Sequence, residues 1–337
     1  MTEISIPQNL SLKRAISFCN KLWCLEKDDS YEFDFGRLQF VEPFTMAYVA
    51  NELKRFSEAN PGTCSAANFE DKTYPAHMGF FKAFGLEHGN KPGEASGSST
   101  YIPLTILQVS EIQREADLQG INIGDVLEKK SKLIAQMLTQ EKWGDLVDTL
   151  TFSIREIMRN VVEHSESDII EYCAQYWPTK NLVEVAILDT GTGIQKGLST
   201  NPYLKISNER DALHLALQPG VSGKMYKGVP ERKHDEWQNS GFGLYMTNRI
   251  CRNGGDFLII SNDSSIFLYS GGKQDIECNY SGTALRLRID TSKITKYSSM
   301  LAQYRQEGSA LAKEYAGEDA IEPSVASTRL ARDFQSI

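Results

Sequence analysis

The sequence predicts an α/β (α+β) protein with two domains. The chain has 337 residues, and at roughly 150 residues per domain this length suggests about two of them. Hydrophobic residues make up 41% and charged residues 24%, both near globular averages, which argues against a disordered chain. Apolar residues recur at helical spacing in some segments and alternate as in strands in others, so both kinds of element are expected.

Charge and cysteine usage narrow the class of protein further. The net charge of −8 argues against a broad surface that tracks nucleic-acid phosphates. No apolar run approaches the ~18–20 residues that span a bilayer, and no basic region followed by an apolar run marks a secretory signal. None of the six cysteines forms a C-x-x-C pair, which speaks against a zinc ribbon. We therefore expect a cytoplasmic protein that binds neither membrane nor nucleic acid.

The first 115 residues predict a small α/β domain. Helical spacing and period-2 alternation define its elements, and glycine, proline and serine separate them. The predicted elements are a helix over 11–23, a strand over 31–35 with an extension at 38–41, a helix over 44–56 behind Pro43, a short helix over 76–84 and a strand over 101–109.

The remaining residues predict a second domain with a helical connector before it and a tail after it. The connector is residues 116–145, the domain 146–290 and the helical tail 291–337. The predicted elements are helices over 123–138, 143–164 and 241–252, strands over 182–188, 256–261, 264–269 and 283–289, and a tail helix over 297–315. Residues 195–238 are polar and contain several glycines and prolines, so a long mobile loop with room for one short helix is expected there.

The usual phosphate-binding signatures are missing, but a helical segment carries candidate catalytic residues. Neither G-x-x-x-x-G-K-[ST] nor G-x-G-x-x-G occurs in the chain. Glu156, Asn160 and His164 are spaced four apart and share one face of the predicted helix. A carboxylate beside an amide oxygen suits a hard cation and an activated water. An ordinary solvated helix face is the alternative interpretation.

Two glycine-containing segments come later in the chain. The sequence DTGTGI (residues 189–194) comes directly after a buried strand, where the Asp189 carboxylate can accept a hydrogen bond from an exocyclic amine such as that of adenine. The sequence NSGFGL (residues 239–244) opens a helix, whose free N–H groups form an anion site. The alternatives are a tight Asp-Thr-Gly turn in the first case and a helix capped by Ser240 in the second.

The three segments in this order, followed by GTAL (residues 282–285), resemble the GHKL ATP-binding domain. That domain is shared by gyrase-type ATPases, heat-shock chaperones, mismatch-repair ATPases, histidine kinases and anti-sigma-factor kinases. The resemblance covers residues 146–290 and implies an α/β sandwich with helices on one face of a mixed sheet. It is specific for ATP binding and less specific for the fate of the bound nucleotide.

The resemblance implies a role for each matching residue. Asn160 would complete the coordination of Mg²⁺ beside the phosphates, and Glu156 would hold or deprotonate the attacking water or acceptor hydroxyl. Asp189 would bind the adenine amine, supported by Thr283. The other residues that would contact ATP are Gly191, Gly193 and Ile194 near the base and Ser240, Gly241, Phe242, Gly243 and Leu244 near the phosphates.

Residues 195–238 would form the ATP lid. Its cations Lys224, Lys227, Arg232 and Lys233 could reach phosphates or stay solvated. The Glu-x-x-x-Asn-x-x-x-His spacing followed by Ser165 is most similar to the anti-sigma serine-kinase branch. A sensor histidine kinase is disfavoured because no histidine outside this segment lies on a long helical hairpin before the ATP domain.

The first domain resembles a STAS domain of the anti-anti-sigma kind. The resemblance rests on residues 33–44, a strand that runs to an acidic residue at a helix start. In phosphorylated relatives a serine or threonine follows that acidic residue. Here Pro43 and Phe44 take those places and Thr45 is the first hydroxyl, which weakens the case for a phosphorylation switch in this domain. A generic small α/β domain is the alternative.

The expected function is an Mg·ATP-binding regulatory protein in which slow hydrolysis and lid closure control a protein partner. One alternative is a protein Ser/Thr kinase of the anti-sigma-factor type, and another is a non-catalytic ATP-sensing interaction module. ATP and Mg²⁺ are the expected cofactors. A homodimer is compatible with the resemblance, since many relatives dimerise.

Overall fold

The computed structural model describes residues 1–229, 237, 240–317, 320–327 and 329–331. The first hundred residues contain β1 (Thr2–Ser5), β2 (Asn9–Leu10), α1 (Leu12–Leu22), β3 (Tyr31–Asp34), β4 (Phe40–Val41), α2 (Pro43–Ala59), β5 (Cys64–Ala67), α3 (Thr73–Met78) and α4 (Phe80–Ala83). The rest contains β6 (Tyr101–Gln108), α5 (Val109–Gln119), α6 (Ile123–Thr139), α7 (Asp145–Asn160), β7 (Ile169–Trp177), β8 (Leu182–Asp189), α8 (Ile194–Leu198), α9 (Glu209–Ala216), α10 (Gly243–Arg252), β9 (Asp256–Ser261), β10 (Ser264–Tyr269), β11 (Gly272–Asp275), β12 (Thr283–Asp290) and α11 (Tyr297–Ala316).

A small parallel sheet lies near the N-terminus. Its strand order is β1-β3-β5, and both pairs are parallel. Helix α2 begins at Pro43, which suits the first helical position, and Glu42 and Thr45 form a reciprocal capping box before it. Its apolar side chains are almost all buried, as expected for a helix packed between two layers.

The large sheet has seven strands in the order β11-β10-β9-β12-β8-β7-β6. Every pair within it is antiparallel in the described chain, so the predicted mixed sheet is wrong. The long connection from β8 to β9 makes these two strands run in the same direction. However, β12 lies between them and pairs with both, so no parallel pair forms.

Helices cover both faces of this sheet. The residues of β8 alternate between the two faces: Val183, Val185 and Ile187 lie in the core that contains α7 and α10, while Ala186 and Leu188 lie in the core that contains α2. The expectation of helices on one face is therefore wrong, because α2 of the first half packs on the second face.

A buried charge network joins α2 to the sheet. Glu184 of β8 is fully buried, and its Oε1 accepts a hydrogen bond from the Phe44 backbone N–H at 3.0 Å. Its Oε2 lies 2.9 Å from Arg288 Nε on β12, and Arg288 also reaches Glu42 at 3.1 Å. The start of α2 is thus anchored by charged groups of the large sheet.

Several local predictions differ from the structure. The strand predicted at 101–109 is β6, and it pairs with β7 at the edge of the large sheet. The helix predicted over 76–84 is two short helices separated by Gly79, whose φ is 88°. Residues 195–238 contain α9 as well as the end of α8. None of the helices in the described parts of the chain is both long and apolar enough to cross a bilayer.

Candidate functional site

A cavity lies where the C-terminal ends of α7 and β8 meet the starts of β12 and α10. Together with its open mouth it holds about 780 Å³ of empty space. Its walls are mostly apolar. The lining residues are Ile157, Asn160, Val161, His164, Ser165, Asp189, Gly193, Ile194, Gly197, Leu198, Ala216, Val221, Ser222, Gly223, Gly241, Gly243, Leu244, Ile259, Thr283 and Leu285.

Asp189 is the buried carboxylate of this cavity. It ends β8 and is only 2% exposed. Its Oδ1 accepts the backbone N–H of Gly191 at 2.8 Å, and Thr283 lies directly across from it in the β8–β12 pair. Burial raises the pKa of Asp189 to about 6, although hydrogen bonds from Gly191 and Thr283 lower it. The predicted pair of Asp189 and Thr283 is thus brought together in the cavity wall.

The glycines after β8 allow close contacts with neighbouring chain. A Cβ on Gly191 would lie 2.0 Å from the Ser165 carbonyl oxygen, and one on Gly193 would lie 2.2 Å from Asn262 Nδ2. Gly193 also has a φ of 82°, which L side chains rarely adopt. Gly193 and Ile194 line the cavity, whereas Gly191 lies behind its wall.

The C-terminal end of α7 supplies a polar part of the wall. Asn160 is the last residue of α7, and a single π-helical turn, Val161–Ser165, continues it. Asn160 and His164 both line the cavity, as their helical spacing predicts. Burial lowers the pKa of His164 to about 4, with Lys224 and Arg159 adding to the effect against Glu163, so this imidazole is neutral at pH 7.

The turn before α10 forms another side of the cavity. Gly241, Gly243 and Leu244 line it, and Gly241 has a φ of 76°. Phe242 instead points into the core and is fully buried, and the Ser240 hydroxyl faces Ser324. Asn239, which opens this motif in the sequence, lies outside the described residues.

Glu156 does not line the cavity. Its side chain is buried, and Oε1 accepts from Arg155 Nη2 at 2.8 Å, Arg155 Nε at 3.1 Å and Arg159 Nη1 at 3.4 Å. Its Oε2 lies 2.0 Å from the position that a Cβ on Gly243 would take. The predicted base is therefore next to the predicted phosphate turn, but two arginines hold it in this conformation.

Part of the predicted lid lines the cavity. Val221, Ser222 and Gly223 line it, and Asn201 Nδ2 donates to the Ser222 carbonyl at 2.9 Å. Lys224 donates to the Glu163 carbonyl, and Lys224 and Lys227 are exposed. Arg232 and Lys233 lie outside the described residues.

Sequence reasoning missed several wall residues. Leu198, Ala216 and Ser222 come from the segment interpreted as a polar loop, and Ile259 and Leu285 come from predicted strands and were not named as site residues. The short apolar clusters around α8 and α9 are a signal that could have revealed them. Glu209 was also missed, although its Oε1 accepts the Ile194 N–H at 2.9 Å and so fixes the start of α8.

Comparisons of the chain with protein-family models, with curated proteins and with solved structures find no match. In the described residues, no group of three or more His, Cys, Asp and Glu side chains is placed to hold a metal ion. The function is therefore inferred from the cavity and the residues that line it.

Proposed function

We propose that residues 146–290 bind Mg·ATP in this cavity as part of a regulatory protein of the GHKL kind, with slow hydrolysis and lid closure controlling a protein partner. The observation that carries the proposal is the buried Asp189 carboxylate in a mostly apolar cavity that also contains the start of α10. The apolar walls and the buried carboxylate favour a ligand whose apolar part carries a hydrogen-bond donor, and the N-terminus of α10 favours an anionic part.

Adenine matches the first requirement. Its exocyclic amine can donate to the Asp189 carboxylate, and a planar ring can lie between apolar side chains such as Val161, Leu244 and Ile259. Guanine presents a carbonyl oxygen where adenine has the amine, and two oxygens facing one another repel. The cavity therefore favours ATP over GTP.

The phosphates match the second requirement. Helix α10 has ten residues, and the N–H groups of its first turn attract anions. Magnesium bound with a nucleotide takes most ligands from phosphates and water, and Asn160 would supply the protein ligand. The ion would offset the charge that develops on the phosphate oxygens.

For hydrolysis, the Glu156 carboxylate must give up its hydrogen bonds to Arg155 and Arg159. As a water oxygen bonds to the γ-phosphorus, the bond from that phosphorus to the bridging oxygen of ADP breaks, and Glu156 takes the proton of the water. In a kinase the oxygen comes from a serine or threonine hydroxyl of the partner instead. The pairing of Glu156 Oε1 with Arg155 and Arg159 favours the non-catalytic binding module as the second candidate function.

If the protein is a kinase, the structure of the first half favours an acceptor on another protein over one in its own STAS-like segment. Thr45, the first hydroxyl after the acidic residue, is fully buried, and its Oγ1 donates to the Leu10 carbonyl at 2.6 Å. Phe44 is also buried and bonds to Glu184. A kinase could reach Thr45 only after α2 had separated from the sheet, so an acceptor on another protein fits the structure better.

The fate of the γ-phosphate tests the proposal. We would incubate the purified chain with Mg²⁺ and γ-labelled ATP, beside Glu156→Ala and the exposed control Glu111→Ala. Free labelled phosphate that is lost only in Glu156→Ala supports an ATPase, and label on protein supports the kinase. Intact bound ATP in all samples supports the binding module. Absence of bound ATP in every sample contradicts the nucleotide site itself.

A further inference from the structure

The C-terminal segment folds back across the candidate ATP domain. We call residues 320–327 and 329–331 the strap. The Ser324 N–H donates to Ser240 Oγ at 2.9 Å, directly before the phosphate turn. At the other end the Ala331 N–H donates to Glu128 Oε1 of α6 at 2.8 Å. The strap thus bridges α6 and the residue that precedes the predicted phosphate site.

Between these ends the strap holds Arg155 of α7. The Arg155 guanidinium is fully buried. Its Nη1 donates to Glu128 and, at 2.9 Å, to the Arg329 carbonyl, while Nη2 donates to the Ala326 carbonyl and to Glu156. Because Nε also donates to Glu156, every N–H group of this guanidinium has a partner. Strap carbonyls therefore help to fix the donors that hold Glu156.

Trp237 connects the strap to the second arginine. Arg159 Nη2 donates to the Trp237 carbonyl at 3.0 Å, and the indole ring lies 5.3 Å from the Arg155 guanidinium carbon and 5.8 Å from that of Arg159. Trp237 is buried in a small cluster with Ala326 and Ala331 of the strap. Small side chains at these two positions let the strap approach the indole.

We propose that the strap is an autoinhibitory segment, and that Arg155 is the positioning residue through which it keeps Glu156 from acting as a base. The inference rests on the proposed ATP site. With the strap docked, three N–H groups occupy Glu156 Oε1. When the strap is released, Arg155 loses the carbonyl acceptors of Ala326 and Arg329. Trp237 also loses its contact with the strap, so the Arg155 guanidinium turns toward water. Glu156 then gains an oxygen that can accept the proton of the attacking water.

Two single substitutions in the full chain compare the released strap with the docked strap. Ala326 is fully buried, so Ala326→Glu places a charged side chain against Trp237 and displaces the strap. Its neighbour Val325 is 39% exposed, so Val325→Glu introduces the same charge with the strap in place. Hydrogen exchange at the Ser324 and Ala331 amides reports whether the strap is docked.

We expect faster exchange at both amides in Ala326→Glu, with ATP affinity unchanged and kcat raised by about 100-fold or more, because a general base contributes about 10²–10⁴-fold. Val325→Glu should behave like the parent chain, and Ala326→Glu combined with Glu156→Ala should lose the gain. A chain that ends at Gly317 should reproduce the activation without any new charge. If the protein only binds ATP and does not hydrolyse it, neither Ala326→Glu nor the chain that ends at Gly317 increases turnover.

Three results overturn the inference. The first is fast exchange at both amides in the parent chain, which means that the strap is not docked. The second is slow exchange in Ala326→Glu together with parent-like turnover of the chain that ends at Gly317. The third is faster exchange in Ala326→Glu with unchanged kcat. Loss of ATP binding in the parent chain itself would instead contradict the proposed nucleotide site, so the two failures are distinguishable.

Discussion

The carboxyl of Asp189 affects stability and binding in opposite directions. It ionises near pH 4 in the unfolded chain, whereas burial raises its pKa to about 6 in the folded one. Between these values only the folded state holds the proton, so stability falls as the pH rises through this window. Above pH 6 the folded protein holds a buried charge. A shift of this size costs at most about 3 kcal/mol of stability at neutral pH.

Asp189→Asn should therefore stabilise the free protein at neutral pH. An amide keeps the acceptor for the Gly191 N–H without a buried charge. We expect the free energy of unfolding in urea at pH 7.5 to rise by about 1–3 kcal/mol, and the gain to shrink as the pH falls through 6 toward 4. The control Asp263→Asn, in the exposed turn between β9 and β10, should show no such trend. A gain that is independent of pH would contradict the assignment of the buried charge.

At Gly243, the backbone of α10 lies close to the Glu156 side chain of α7. A Cβ there would lie 2.0 Å from Glu156 Oε2, so Gly243→Ala must move the carboxylate that two arginines hold. We expect a loss of about 1–3 kcal/mol in the free energy of unfolding. Gly197→Ala is the matched control. Gly197 lies within α8, and the nearest atom to a Cβ there would be the His164 carbonyl oxygen at 3.6 Å. Equal stability of the two variants would show that Glu156 is free to move.

At the scale of elements, β8 connects the site to the first half. One of its faces packs on α7 and the other on α2, and it ends at Asp189. Glu184 lies within this strand, between Arg288 of β12 and the first turn of α2. A buried carboxylate that pairs with arginine and with a helix N-terminus therefore holds three elements together.

Glu184→Ala should strongly destabilise the protein. The substitution leaves the Phe44 N–H without its buried acceptor and leaves Arg288 with Glu42 alone, and breaking a buried pair costs at most about 3–5 kcal/mol. Urea unfolding monitored by circular dichroism measures the loss. The exposed strand residue Glu3, replaced by alanine, should change stability by less than about 0.5 kcal/mol. A comparable effect of the two substitutions would refute the anchoring role.

Elements with strong local periodicity could be predicted from the sequence. The helix and strand ends at which the candidate site residues lie could therefore be predicted as well. The strand expected over 182–188 is β8, and Asn160 and Asp189 lie at the ends of their elements. The positions of Leu198 and Ser222 in the cavity wall were not predictable in this way, because they depend on contacts between segments that are distant in the chain. The pairing of Glu156 with Arg155 was also hidden, since adjacent helix residues do not ordinarily face one another.

At the scale of the whole molecule, the two halves share a hydrophobic core. The core around α2 includes Leu188, Leu258 and Ala284 of the large sheet. Strand β6, predicted as the end of the first domain, lies at the edge of that sheet. Local pattern identifies a strand but not its partner, so the pairing of β6 with β7 could not be predicted from the sequence.

This shared core predicts one cooperative unfolding transition. Amides of β3 in the small sheet and of β8 in the large sheet should exchange hydrogen with the same opening free energy, measured by native-state exchange in increasing urea. Glu184→Ala should lower both values equally, because it weakens the layer between the sheets. Opening of β3 at a denaturant concentration that leaves β8 protected would mean that the halves are independent domains.

Equilibrium binding of nucleotide tests the central claim most directly. Isothermal titration of the full chain with Mg·ATP and Mg·GTP, beside Asp189→Asn and Asp263→Asn, separates folding from recognition, since Asp189→Asn should be the more stable protein. We predict that the parent chain and Asp263→Asn bind ATP more tightly than GTP. We also predict that Asp189→Asn loses at least about 10-fold in ATP affinity, because a charged hydrogen bond of this kind contributes about 1.5–3 kcal/mol. Equal affinity of Asp189→Asn and the parent chain for ATP, or no ATP binding by either, would contradict the nucleotide site.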